Sequence, residues 1–371
     1  MRPLRVAVVG CGYWAPNIVR NLLTLRNVEV AALCDMKPDR ARALAEHLVP
    51  QAEVIDDHRA VCDDPSIDAV FVVTPIRSHF AVACDLLRAG KHVFIEKPLA
   101  RSVAECETLI ELAAAQRVVL MTGHVFEYNA AVTRIKQYLE AGELGRLLYV
   151  YSHRVNLGRI QDDVNALWSF APHDVSILNY WLGAEPVAVS ARGLRCLGHG
   201  VEDVVFILLE YPGGVGAHLH LGWMDPRKIR QMTLVGAKKM LVYDDVSIDA
   251  RIQIYDKGVS KLDEYMRAPE TFAEFQWEIR TGDVVIPQVK FVEPLQEECR
   301  HFVECIRTGT RPRTDGYSGL RVVRVLEAAQ ESLDNQGAIV RIDARVPESA
   351  SLIGVRGSGH VNGEQARRLD T

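Results

Sequence analysis

The opening alternation constrains this chain more than any other feature. From residue 5 to residue 121, short β-rich runs and helix-like runs follow one another. Arg5-Val6-Ala7-Val8-Val9 reads as a strand, as do residues 28–34, 69–73, 91–95 and 118–121. Residues 17–25, 38–48, 79–89 and 103–116 read as the intervening helices. The strands are apolar throughout rather than on alternate positions. A strand of that kind has both faces buried, and a helix after each strand supplies the cover. The pattern therefore predicts an α/β fold, with a doubly wound parallel sheet over residues 1–125.

The pattern changes afterwards. Residues 130–140 read as a helix that Gly142 breaks, and residues 147–155 as a strand. A helix is expected over 166–181. Runs of alternating polarity follow at 187–194, 204–211, 215–223 and 229–235, and Pro212-Gly213-Gly214 forms a tight turn between two of them. Consecutive strands joined by tight turns predict a mostly antiparallel sheet. Its polar face is expected to receive a substrate or a partner subunit. Late helices are expected at 295–307 and 320–333. Residues 126–345 thus read as a second α/β domain, and residues 346–371, rich in Gly, Ser and Arg, as a mobile tail. A length of 371 residues suits two domains better than one core.

Charge excludes some partners. The net charge is -5, and the basic residues are interleaved with acids. No clustered basic face suggests nucleic acid. No apolar run is long enough to span a membrane, and the basic start lacks the apolar length of a secretory signal. The 8 cysteines form no C-x-x-C pair and mostly sit in apolar stretches, as Cys34 and Cys84 do. Buried, reduced thiols in a cytoplasmic protein are expected. His218 and His220 share one side of a strand without a third ligand, so no metal site is expected.

The first turn carries a specific signal. Val6-Ala7-Val8-Val9-Gly10-Cys11-Gly12-Tyr13-Trp14-Ala15 is a strand, then G-x-G-x-x-A, then a helix. Gly10 allows the tight turn, Gly12 lets backbone approach a pyrophosphate, and Ala15 lets helix and strand pack closely. The helix start offers unpaired N–H groups to phosphate. Asp35 ends the second strand, where an acid accepts hydrogen bonds from an adenosine ribose. Its charge favours NAD over NADP, although Lys37 and Arg40 stand near enough in sequence to meet a phosphate. Tyr13 and Trp14 join the candidate cofactor contacts.

Lys97, in Glu96-Lys97-Pro98, follows a strand and so lies at the ligand-binding edge of a doubly wound sheet. A lysine of lowered pKa takes the proton of a carbinol during hydride transfer. Pro98 permits a cis bond, with trans the default. In Trp168-Ser169-Phe170-Ala171-Pro172-His173-Asp174, Pro172 fits a first helical turn. His173 then stands at a helix start, where a neutral imidazole holds a hydroxyl or fixes the helix entry. Asp174 reads as a helix-start charge.

Gly10-x-Gly12 with Asp35, Thr74-Pro75 with His79, Glu96-Lys97-Pro98 and His173-Asp174 resemble the Gfo/Idh/MocA oxidoreductases over residues 4–335. The stretch from Asp163 to Asp174, with Val201-Glu202-Asp203, Trp223-Met224-Asp225-Pro226 and Arg313-Thr314-Asp315-Gly316, is most similar to the sugar and nucleotide-sugar branch. The resemblance implies a Rossmann domain followed by a domain with a large open sheet. It implies Lys97 as acid/base and His173 as the residue that positions the hydroxyl. It also implies Thr74, Pro75, His79 and Glu96 around the cofactor, and Lys97 and Trp168 join the candidate cofactor contacts. A homodimer or homotetramer follows by the same analogy.

Two departures stand out. Ser169 occupies a position where many members have Asp, and Phe126-Glu127-Tyr128-Asn129 lacks a following proline. Candidate substrate contacts are Tyr128, Arg154, Asn156, Asn165 and His173, with Asp162 and Asp163 able to attract an amino sugar. The leading reading is NAD-linked oxidation of a secondary ring hydroxyl, first of a nucleotide sugar at its 3-hydroxyl. An inositol or other cyclitol is the next substrate class. An NAD-assisted glycoside hydrolase and a non-catalytic NAD and sugar sensor are the other readings.

Overall fold

The computed structural model describes residues 2–158, 160, 164–198, 200–261 and 277–343. The expected mobile tail, 346–371, and the candidate residues Asp162 and Asp163 lie outside them.

The first part is built from β1 (Leu4–Val9), α1 (Ala15–Leu23), β2 (Val28–Cys34), α2 (Pro38–Leu48), β3 (Glu53–Ile55), α3 (His58–Asp63), β4 (Ala69–Val72), α4 (Ile76–Arg88), β5 (His92–Glu96), α5 (Val103–Gln116) and β6 (Leu120–Gly123). The six strands form one sheet in the order β3-β2-β1-β4-β5-β6, and every pairing in it is parallel. The short pair β3 and α3 had no counterpart in the sequence reading. Each strand delivers a turn to the same carboxyl edge, because parallel strands all end on one side.

The second part holds α6 (Ala130–Glu140), β7 (Leu147–Val155), α7 (Ala166–Leu182), β8 (Ala188–Leu194), β9 (Val204–Tyr211), β10 (Val215–Gly222), β11 (Ile229–Gly236), β12 (Met240–Asp244), β13 (Ile252–Lys261) and β14 (Trp277–Val285). Then follow α8 (Pro294–Thr308), α9 (Gly316–Asp334) and β15 (Val340–Arg341). The strands make a nine-stranded sheet in the order β14-β13-β12-β11-β7-β10-β9-β8-β15. Its neighbours are antiparallel except β7 and β10, which run parallel. In β9, Val205, Ile207, Leu209 and Tyr211 point into the core, while Phe206 and Leu208 are exposed. That is the period of two expected of a half-buried strand. Strands β12 to β14 extend the sheet beyond the runs legible in the sequence.

The late helices return to the first sheet. Phe302 of α8 is fully buried, with its ring centroid 5.2 Å from that of Phe71 and 5.8 Å from that of Phe94. Leu295 and Cys299 join the same core. On α9, Gly319 lies so near β6 that a Cβ there would stand 2.5 Å from Thr122 Oγ1 and 2.8 Å from Leu99. Only glycine allows that approach. The core of the parallel sheet is thus completed by helices α8 and α9, encoded some 200 residues later.

Candidate active site

The glycine turn is shaped for a close ligand. Gly10 has φ +97, and a Cβ there would lie 2.7 Å from the Thr74 backbone nitrogen. Around Gly12 a Cβ would meet nothing within 4 Å, so the space above the turn is open. Asp35 fixes the turn from below: its Oδ2 accepts from Cys11 N–H at 2.8 Å and its Oδ1 from Lys37 N–H at 2.8 Å. Thr74 Oγ1 is buried with no partner. An open glycine turn beside an orphaned hydroxyl and an acid at the end of β2 fits a dinucleotide. Gly10, Gly12, Asp35 and Thr74 are the residues that would hold it. Tyr13 is largely exposed at the rim, and Pro75 is exposed as the residue that opens α4.

Some expected cofactor contacts have other work. His79 is buried, with Nδ1 2.9 Å from Pro98 O and Nε2 2.8 Å from Thr74 O. A carbonyl oxygen thus stands at each ring nitrogen, and the one N–H of the neutral ring donates to one of them, so His79 links the loops after β4 and β5. The Trp168 indole donates to Gln330 at 3.2 Å and packs between two cores. Trp14 donates from Nε1 to Glu96 Oε1 at 2.7 Å. This joins the first turn to the end of β5. Burial raises the pKa of Glu96, against the opposing charge of Lys97.

The Lys97–Pro98 peptide bond is cis. Lys97 Nζ donates to the Ser169 backbone oxygen at 3.0 Å. Burial pulls its pKa down to about 8, with Glu96 opposing and Arg154 and Arg230 assisting. A burial-driven shift of this kind leaves an appreciable share of neutral amine near neutral pH.

Helix α7 starts where the 166–181 run predicts, which overturns the reading of Pro172 as a first-turn residue. It begins at Ala166, and Asn165 caps it by accepting from Trp168 N–H at 3.1 Å. Pro172 is therefore inside the helix, and His173 is well past its first turn. Proline has no N–H for the Trp168 carbonyl. The next carbonyl, that of Ser169, is the one that accepts from Lys97. Asp174 is no helix-start charge either. It is fully buried, and its Oδ1 accepts from Arg154 Nε at 2.9 Å and Nη2 at 2.7 Å. His173 is held neutral by burial, by Lys97 and by the arginines, and its Nδ1 is buried without a partner.

The nine-stranded sheet supplies a cationic pair. Arg154 of β7 stands opposite Arg230 of β11 in register. Like charges facing across strands repel, and two acids offset them: Asp174 binds Arg154, and Asp245 lies 3.6 Å from Arg230. The Arg154 guanidinium covers the Phe126 ring at 4.7 Å, and the edge of that ring meets His173 with centroids 5.0 Å apart. A cleft of about 300 Å³ opens beside this group, lined by Trp14, Phe126, Asn129, Asp245 and Arg251 among others.

Lys97, His173 and Arg154 share one neighbourhood. Two expected substrate contacts do not. Asn165 is buried as the cap of α7, with Nδ2 donating to Glu202 at 2.9 Å and Gln330 at 3.0 Å. Tyr128 is buried, with its hydroxyl 3.2 Å from Thr314 Oγ1 and Arg313 over its ring. Asn156 sits half-buried just past β7, its N–H donating to Gly222 O at 3.2 Å. Sequence reasoning missed Arg230, Asp245, Phe126 and His124. Of these only His124 carried a local signal, since it follows a strand at the edge where Lys97 lies. Among the described residues no cluster of His, Cys, Asp or Glu could hold a metal, and no helix is long and apolar enough to cross a membrane.

Known proteins resemble this chain in sequence and in fold. The description "Oxidoreductase family, NAD-binding Rossmann fold" matches residues 4–124, and "GFO/IDH/MocA C-terminal domain" matches residues 132–242. The scyllo-inositol 2-dehydrogenase (NAD(+)) of Bacillus subtilis is 25% identical, covering 92% of this chain and 97% of its own. The UDP-N-acetylglucosamine 3-dehydrogenase GnnA of Acidithiobacillus ferrooxidans has the same fold, with TM-score 0.73 and 23% identity over 90% of this chain and 99% of its own. GenD2 from gentamicin A biosynthesis, solved in complex with NAD, does so with TM-score 0.77 and 22% identity over 93% of this chain and 97% of its own.

Proposed function

Given that the chain belongs to the Gfo/Idh/MocA oxidoreductases and carries their NAD-binding Rossmann domain, we propose that it oxidises a secondary ring hydroxyl of a sugar to a ketone. The first candidate substrate is a nucleotide sugar at its 3-hydroxyl, then the sugar ring of a secondary metabolite, then a cyclitol. One observation carries the reading. Lys97, with a pKa drawn down to about 8, bonds the Ser169 carbonyl of the helix that carries neutral His173, and Arg154 and Arg230 act on both at the carboxyl edge of the parallel sheet.

NAD, when bound, supplies the hydride acceptor for the carbinol carbon. The rest is the protein's own chemistry. Neutral Lys97 takes the hydroxyl proton and becomes an ammonium as the C–O bond becomes a carbonyl. The Ser169 carbonyl at 3.0 Å accepts from that ammonium and holds it in place. His173 orients the hydroxyl; buried and uncharged, it gives a hydrogen bond without competing for the proton. Arg154 and Arg230 lower the proton affinity of Lys97 and favour an electron-rich substrate group such as a phosphate or carboxylate. Glu96 is shielded by Trp14 and keeps the turn after β5 in position. The open face of the nine-stranded sheet, with Phe206 and Leu208 exposed, suits a second copy of the chain in a homodimer or homotetramer.

The test is a panel of UDP- and TDP-sugars, free and phosphorylated hexoses, inositols and aminoglycoside-type glycosides with excess NAD, followed by NADH absorbance. One responding class is expected. Silence across the panel, with NAD binding measured by calorimetry, would sink the proposal.

A further inference from the structure

His124 has no part in the chemistry above, yet its surroundings call for a ligand. It follows Gly123 at the end of β6, and Gly123 pairs with Glu96 at the end of β5. The side chain is 1% exposed, and neither Nδ1 nor Nε2 has a hydrogen-bond partner. The backbone sets the ring's position: its N–H donates to Thr122 O at 2.8 Å and its carbonyl accepts from Glu127 N–H at 3.0 Å. Burial, Lys97 and Arg321 hold the imidazole down to about 3, so it is neutral. A neutral imidazole offers one donor and one acceptor. His79, another buried histidine at this edge, has each nitrogen within hydrogen-bond distance of a carbonyl oxygen and donates its N–H to one of them. His124 uses neither, and buried polar groups are rarely left so.

The neighbours narrow what would meet it. After burial, Lys97 is the charge that acts most strongly on both His124 and His173, and His173 is also acted on by Arg154, Arg230 and His124. Two neutral rings, one just past β6 and one on α7, therefore share the surroundings of the proposed base, which itself follows the Glu96 that pairs with Gly123 and reaches Ser169 of α7. A hydroxyl is both donor and acceptor, which matches what His124 leaves unpaired. On a sugar or cyclitol ring, the hydroxyl on the next carbon is the group nearest the one that reacts.

We propose that His124 is a specificity-determining residue that binds the ring hydroxyl adjacent to the one oxidised, so that the site reads a vicinal diol rather than a single alcohol. This rests on the assignment of Lys97 as the base for a ring hydroxyl.

The test uses the NAD-loaded protein labelled with ¹⁵N-histidine, with trans-1,2-cyclohexanediol and cyclohexanol as probes. The His124 ring signals are identified by their loss in His124→Gln. The expected result is that the diol shifts the His124 signals and cyclohexanol does not. In His124→Phe, affinity for the diol should fall about tenfold, to that for cyclohexanol. Equal shifts with both alcohols, or none with the diol, would overturn the proposal. A shift on adding NAD alone would overturn it too, by giving His124 to the cofactor. Failure of the base assignment reads out separately, as turnover that survives in Lys97→Met, whereas the titration follows His124 whether or not turnover occurs.

Discussion

The six-stranded sheet is covered on both faces, whereas the nine-stranded sheet buries one face and opens the other. Phe71, Phe94 and Phe302 show the first condition, three rings fully enclosed between β4, β5 and α8. Phe206 and His220 show the second, stacked 4.7 Å apart on a face where Phe206 is 38% exposed. The difference explains where the chemistry collects. Parallel strands bring their ends to one edge, so Gly10, Thr74, Lys97 and His124 meet although the sequence separates them. Antiparallel strands end on opposite edges in turn, so the large sheet contributes from neighbouring strands instead, as Arg154 and Arg230 do across β7 and β11.

The comparison breaks most sharply at the enclosed rings. Phe302→Ala should cost about 3–5 kcal/mol, because the cavity lies between two rigid layers. Urea unfolding would measure it, and a loss below about 1 kcal/mol would mean that α8 is not an integral part of the first core. Next in size is Lys97→Met at the carboxyl edge. Turnover should drop at least about a hundredfold, equivalent to about 2.7 kcal/mol, while calorimetry still records NAD binding.

The pH profile sharpens the contrast further. Lys97 works as the neutral amine, so the oxidation rate should rise with pH through about 8 and flatten above it. Ser169→Asp puts a carboxylate near the ammonium and favours the charged form, which should move that rise upward by about one unit. A fall in rate over the same range would assign the proton transfer to another group. The smallest effect is expected on the open face. Phe206→Ala should change monomer stability by no more than about 0.5 kcal/mol in the same urea experiment. A change as large as that of Phe302→Ala would show that the face is covered in solution.

Much of the first sheet was legible because its signals are local. An apolar strand, the Gly10-x-Gly12 turn and Asp35 lie close along the chain and act through backbone geometry. Lys97 was legible for the same reason, as the residue after a strand. The start of α7 was legible, but Pro172 and His173 were misplaced within it, because Pro172 suits a first turn while the Asn165 cap and the packing of the whole helix put it in the interior. His79 and Asn165 looked like ligand contacts because their partners, Pro98 and Thr74 for one and Glu202 and Gln330 for the other, cannot be seen from spacing.

What the sequence by itself determined is therefore the α/β class, the cofactor turn and the edge at which Lys97 emerges. Each depends on side-chain period or on residues a few positions apart. Only the tertiary structure decided that Arg154 pairs with Asp174, that Arg230 faces Arg154, that α8 closes the first core and that His124 is buried with both nitrogens unpaired. Those outcomes depend on which distant surfaces exclude water from each other, and burial of that kind has no local signature.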